Sequence, residues 1–256
     1  MARRQKRPQG PLPPPLPPER RTVGQLVGEA IRAYGGDFWR SAAIGVPAVV
    51  ATALAWVAPS GQARVALVPV IAILVSLSYV AGCALVLGGS LVSRRALVAL
   101  FVAVLVFLPF PFLAELYVLP AIAWLALFGL AVPAALVEGL GVRRALGRGY
   151  RLARADYVHA LGGLATLGLV VVISQFALDF LLREYADNTR VVAAVLAALT
   201  FSPLLFLGSA ILYVDQDARL RSRRERGKER DADVLDVDDA DGEGRSDAAR
   251  EPGPAS

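Results

Sequence analysis

The chain has 256 residues, of which 55% are hydrophobic and 19% charged, with a mean hydropathy of +0.52. Its one cysteine, Cys83, and one histidine, His159, exclude a disulfide framework, a thiolate metal site and a multi-histidine metal centre. A pI of about 9.7 would suit nucleic acid, but the basic residues flank apolar runs, which points to anionic lipid headgroups and away from nucleic acid.

Charge is concentrated in residues 1–40 and 216–256, leaving the middle nearly neutral. Residues 1–21, MARRQKRPQGPLPPPLPPERR, begin basic but run into proline instead of an apolar stretch, so they do not read as a cleavable signal. PLPPPLPP predicts an extended polyproline segment inside a disordered lead. Next comes TVGQLVGEAIRAYGGDFWR, where Val23, Leu26, Val27, Ala30, Ile31 and Tyr34 recur at helical spacing. Thr22 and Gln25 form a capping-box pattern, Gly35-Gly36 stops the helix, and Asp37 is placed to cap the following one. This segment is expected to be a short helix on the membrane surface.

Six apolar runs follow, at roughly 40–58, 65–88, 96–114, 116–137, 159–181 and 191–214. A span needs about 20 apolar residues. From Ala96 to Val137 the only charge is Glu115, so that stretch reads as two spans joined by a turn at Glu115. The expected fold is an all-α, polytopic bundle of six transmembrane helices occupying residues 22–220. With the N-terminus inside, only Arg64, Arg183 and Arg190 of the 27 Lys+Arg fall outside, leaving 24 inside. The positive-inside rule therefore places both termini in the cytoplasm. Lys6 and Lys228 are the only lysines, an arginine and alanine bias typical of GC-rich bacterial genomes, so a bacterial inner membrane is expected.

Before the fifth run lies GLGVRRALGRGYRLARADYVHA. Val142, Ala145, Leu146, Gly149 and Ala153 make one face, opposed by Arg144, Arg148 and Arg151 and flanked by Arg143 and Arg154. These five arginines are candidate contacts for anionic lipid. A shift of 119 residues superposes Arg32 on Arg151, Asp37 on Asp156 and Phe38 on Tyr157, suggesting an internal repeat. Ser90–Leu100 is a weaker third instance, which would give three helical hairpins each preceded by a surface helix. The tail from Arg221 to Ser256, with its DADVLDVDDADGEG stretch, lacks aromatics and is expected to be disordered.

RTVGQLVGEAIRAYGGDFWR and VPAALVEGLGVRRALGRGYRLARADY, together with the closing Leu212-Tyr213-Val214-Asp215, resemble a bacterial family. It is the membrane domain of some glycerophosphoryl diester phosphodiesterases, which also occurs as stand-alone membrane proteins. The resemblance covers roughly residues 20–220 and departs from the family pattern at Gly149, where serine is common. It implies a six-span membrane fold; phosphodiester hydrolysis in the fused relatives belongs to a separate soluble domain rich in His, Glu and Asp.

This sequence has no room for such a domain and no Walker, G-x-S-x-G or His-Glu-x-x-His motif, so a non-enzymatic protein without a cofactor is expected. Charged and polar residues near the spans read as structural. Glu138 is expected to anchor the arginine helix by an ion pair, Asp179 to pair with Arg183, and Ser174 and Gln175 to make interhelical hydrogen bonds. Seven prolines, at 47, 69, 109, 111, 120, 133 and 203, fall within the runs. Each frees a carbonyl that a neighbour or a cavity must satisfy. The sequence thus supports a scaffold or accessory protein whose basic surface engages anionic lipid or a protein partner. The alternative is a permease-like component for a lipid or amphiphile. A polar cavity at mid-membrane would favour the second, and tight small-residue packing the first.

Overall fold

In the computed structural model, residues 17–58, 60–184 and 187–248 are described, and their regular structure is entirely helical. The side chains of Glu115, Gln175 and Asp179 lie outside the described residues, as do residues 1–16 of the proline-rich lead. After a 3-10 turn at Pro18–Arg20, the elements are α1 (Val23–Gly36), α2 (Phe38–Val57), α3 (Gly61–Leu87), α4 (Arg94–Phe107) and α5 (Phe110–Leu116). Then come α6 (Val118–Phe128), α7 (Ala131–Glu138), α8 (Val142–Ala155), α9 (Tyr157–Leu181) and α10 (Asp187–Ala248). Among the described residues, six stretches are long and apolar enough to cross a bilayer: Phe38–Ala55, Gly61–Leu87, Arg94–Leu113, Leu119–Glu138, Tyr157–Leu178 and Val191–Gly227. The protein is an all-α, multi-pass membrane protein.

Local chemistry sets the helix ends. The capping box forms: Thr22 Oγ1 accepts from the Gln25 amide at 3.4 Å, and Gln25 Oε1 accepts from the Thr22 amide at 3.0 Å. Ser60 and Ser93 accept from Ala63 and Ala96 to start α3 and α4. Gly88 and Gly139 close α3 and α7 in the left-handed conformation that glycine adopts without strain. Asp37 occupies the position before α2 but does not cap it; its carboxylate pairs with Arg40 at 3.3 Å instead.

The third and fourth spans are each broken in two, and a side chain donates to one carbonyl at each break. Pro133 cannot donate to the Gly129 carbonyl, and the Tyr79 hydroxyl donates to that oxygen at 3.1 Å. Where Pro109 separates α4 from α5, Trp124 Nε1 donates to the Val106 carbonyl at 2.9 Å. The amide of Ala48, just after Pro47, donates to Ser78 Oγ at 3.1 Å across the α2–α3 interface. Pro203 frees the Leu199 carbonyl, and Gly45 of α2 approaches so closely that a Cβ there would stand 2.8 Å from that oxygen.

Helices α3 and α10 form the centre, with α2 packed on both, α4 and α7 beside α3, and α9 against α10 and α6. The core is built of small residues on α3, α4, α7 and α10, among them Ala72, Ala99, Ala103, Ala131, Ala135 and Ala210. A second cluster joins Leu26 and Ala30 of α1, Leu152 and Ala153 of α8, and Leu164, Leu167 and Leu212 beneath them.

Two expectations need correction, the turn at Glu115 and the third instance of the repeat. The turn between the third and fourth spans is at Tyr117, where the backbone is extended, not at Glu115. The turn at Pro18–Arg20 packs against α10. Helix α10 runs past its apolar stretch to Ala248, and residues 249–256 of the expected tail lie outside the described residues. Extension from a formed helix needs no new nucleus, and Arg, Glu and Ala in this stretch favour helix, which explains the continuation. Finally, Gly88–Ser93 carries no surface helix, so the third instance of the repeat fails. Its glycines close α3 instead of opening a helix.

The other two instances hold. α1 and α8 are both 14 residues long and start 119 residues apart, at Val23 and Val142. Each ends in an aspartate of similar backbone conformation, Asp37 at φ −140°, ψ 66° and Asp156 at φ −152°, ψ 83°.

Candidate functional site at the basic end

Helix α8 illustrates how the site is assembled. Its buried face is Ala145, Gly149, Leu152, Ala153 and Ala155, and it rests on α6, α7 and α4. Contact with α7 is backbone-close: a Cβ at position 149 would meet the Ala131 nitrogen at 2.5 Å and its Cα at 2.8 Å. The apolar face of α8 is therefore covered by protein and not by lipid. Leu146, expected at the centre of that face, is only half-buried.

This rotation brings Arg148 inward, because it lies three residues after Ala145 and four before Leu152. Arg148 Nε donates to Glu138 Oε1 at 2.8 Å, and its Nη2 donates to Asp217 Oδ1 at 2.6 Å. The Tyr213 hydroxyl donates to Glu138 at 2.9 Å, and Arg221 pairs with the other oxygen of Asp217. Burial alone would lower the Arg148 pKa, but the hydrogen bond and charge of Glu138, with Asp217 and Tyr213, raise it overall. The guanidinium stays charged and holds α8 to α7 and α10. Arg148 is thus corrected from a lipid-facing residue to a clamp.

A second clamp secures the chain ahead of α1. Arg21 Nη1 donates to Asp215 at 2.9 Å, and Arg219 bridges Asp156 at 2.6 Å and the Arg21 carbonyl at 2.7 Å. Asp156 also caps α9 by accepting from the His159 amide at 3.1 Å, while Gln216 Nε2 donates to the Asp156 carbonyl at 3.0 Å. Asp215, Gln216 and Asp217 are all buried, so one turn of α10 receives a clamp from each half of the repeat. Sequence reasoning missed this turn, which looked like the end of a span. Its signal was two acids beside an apolar run at the arginine-rich end, where acids need partners.

The remaining candidate residues divide cleanly. Arg143, Arg144, Arg151 and Arg154 are exposed and make no ion pair with a described residue; Arg154 lies over the Tyr150 ring at 5.6 Å. Ser174 is half-buried on α9, and Gln175 falls outside the described side chains. Arg183 stacks on Phe180 at 4.2 Å and approaches Glu184 at 3.9 Å. The described residues contain no cluster of metal-ligating side chains.

Hollows of ligand size open at the basic end. One, of about 570 Å³, is lined by Arg21, Glu29 and Asp37 over Leu85, Val86, Leu207 and Ile211. Another, of about 620 Å³, runs between α2 and α3 below Arg40 and shares Leu85 with the first. Deep in the bundle, the space among Tyr79, Phe107, Leu125, Leu164 and Ser209 is only about 20 Å³, room for one water. Comparison of the chain with protein-family models, curated proteins and solved structures found no match.

Proposed function

We propose that the protein is a non-enzymatic membrane scaffold or accessory protein whose α8 arginines engage anionic lipid at the cytoplasmic face of a bacterial inner membrane. Membership of the glycerophosphodiesterase membrane-domain family belongs to the same proposal. The observation that carries it is the division of labour on α8. One arginine is spent on clamping the helix, while Arg143, Arg144, Arg151 and Arg154 project outward without a described acidic partner. Each arginine near an anionic leaflet contributes about 1 kcal/mol, screened by salt. Positive-inside asymmetry supports a cytoplasmic location for this end and for both termini. Against a carrier weigh the small space among Tyr79, Phe107 and Leu125 and the side-chain donors to the Val106 and Gly129 carbonyls.

The test is lipid retention. Purified protein in mixed micelles should keep phosphatidylglycerol, and replacing the four exposed arginines by glutamate should remove most of it while preserving the fold. Retention unchanged by that replacement would reduce the arginines to topology signals.

A further inference from the structure

The chain enters the bundle through a short strap ahead of α1. The amides of Arg20 and Arg21 donate to the Pro17 and Pro18 carbonyls at 2.9 and 3.4 Å, and the turn so formed packs against α10. Arg21 fixes the end of the strap on Asp215, whose carboxylate is fully buried. Gln216, the next residue of α10, holds the junction of α8 and α9 through the Asp156 carbonyl. A hollow of about 490 Å³ is lined by Glu19 and Arg20 of the strap, by Asp156 of the junction and by Arg219 and Ser222 of α10. Arg219 joins the strap to the junction: Nη1 donates to Asp156 Oδ2 at 2.6 Å, and Nη2 donates to the Arg21 carbonyl at 2.7 Å. A guanidinium carries its donors in one rigid plane, so neither acceptor can move without disturbing the bond to the other.

We propose that Arg219 is the coupling element of a conformational device in which the strap and the α8–α9 junction open and close together. Loosening the strap frees Asp156, and with it the end of α8 that carries Arg151 and Arg154. Residues 1–16 continue directly from the strap, so a partner or force acting on them reaches the basic surface. Linkage makes the effect mutual: release of the junction favours release of the strap by the same factor. A competing route runs through apolar contacts of α1 with α9. There, a Cβ at Gly162 would stand 3.7 Å from Val23, and one at Gly163 would stand 2.8 Å from Leu26. That route bypasses Asp156 and Arg219, which makes the two separable. The inference rests on the bonds of Arg21 and Arg219 and not on lipid engagement by α8.

The experiment is hydrogen–deuterium exchange of the full-length protein in detergent, followed in two peptides. Residues 17–22 report the strap through the amides of Glu19 to Thr22, and residues 156–161 report the junction through those of His159 and Ala160. Asp156→Asn keeps a residue suited to capping α9 but removes the charge that holds Arg219. Arg21→Gln weakens the grip on Asp215 while leaving Arg219 and its backbone acceptor in place. The expected effects are crossed: Asp156→Asn speeds exchange in the strap and Arg21→Gln speeds it at the junction, each by at least about five-fold. Arg219→Lys supplies a point charge that cannot serve both acceptors in that geometry. In its background both crossed effects fall below about two-fold, while each substitution still acts on its own segment. All comparisons use protein of unchanged helicity and elution volume, with Arg219→Gln replacing Arg219→Lys if the latter fails that check. Purely local effects in the otherwise native chain overturn the proposal. Crossed effects that persist at full size without Arg219 also overturn it and assign the coupling to the α1–α9 contact.

Discussion

Replacing Arg148 by alanine should release α8 from the bundle. The substitution removes a 2.8 Å bond to Glu138 and a 2.6 Å bond to Asp217, and leaves two partly buried carboxylates sharing a site without a central cation. Breaking a fully buried pair by removing one partner costs about 3–5 kcal/mol. Glu138 retains some exposure and Tyr213, and Asp217 retains Arg221, so the low end, about 3 kcal/mol, is appropriate here. A local opening equilibrium eased by that amount becomes roughly 100-fold more populated. Ala145, fully buried under α8, can carry a reporter as Ala145→Cys, and native Cys83 is itself buried, which keeps background labelling low. Maleimide labelling at position 145 should therefore accelerate by about two orders of magnitude in the Arg148→Ala background. The control is Arg151→Ala, which removes an exposed arginine and should leave the rate nearly unchanged. Equal labelling in the two backgrounds would refute the clamp.

Gly149→Ala should weaken the same interface by about 2 kcal/mol through overpacking, since the new methyl would meet Ala131 backbone atoms that cannot rotate away; thermal unfolding in detergent measures it. Tyr79→Phe keeps the ring but strips the Gly129 carbonyl of its hydroxyl donor, with an expected loss of about 1 kcal/mol and no change in lipid retention.

Apolar run length made the architecture legible, because a bilayer imposes a minimum helix length that composition alone reveals. The capping box at Thr22 and the 119-residue offset were equally readable, being local patterns. What sequence did not reveal was rotation. The arginines of α8 looked like one polar face, yet a register set by Leu152 and the backbone-close contact at Gly149 turned Arg148 inward. Nothing within residues 142–155 specifies that turn; its partners Glu138 and Asp217 come from two other helices, and Asp217 is 69 residues away. The prolines were likewise visible, but whether their freed carbonyls face a cavity or a tyrosine depends on which helices meet. The extent of α10 was not legible either, because composition describes an isolated segment, whereas this one is continuous with a span that supplies the helical nucleus.

The account depends most on where the outer face of α8 sits, and its depth in a bilayer can be measured. Nitroxide labels at Arg151→Cys and Arg154→Cys, read by accessibility to lipid-soluble and water-soluble relaxation agents, report that depth in vesicles with and without phosphatidylglycerol. The account predicts both labels at headgroup level, with mobility reduced when phosphatidylglycerol is present and restored by high salt. Labels that are fully aqueous and indifferent to lipid charge would contradict it.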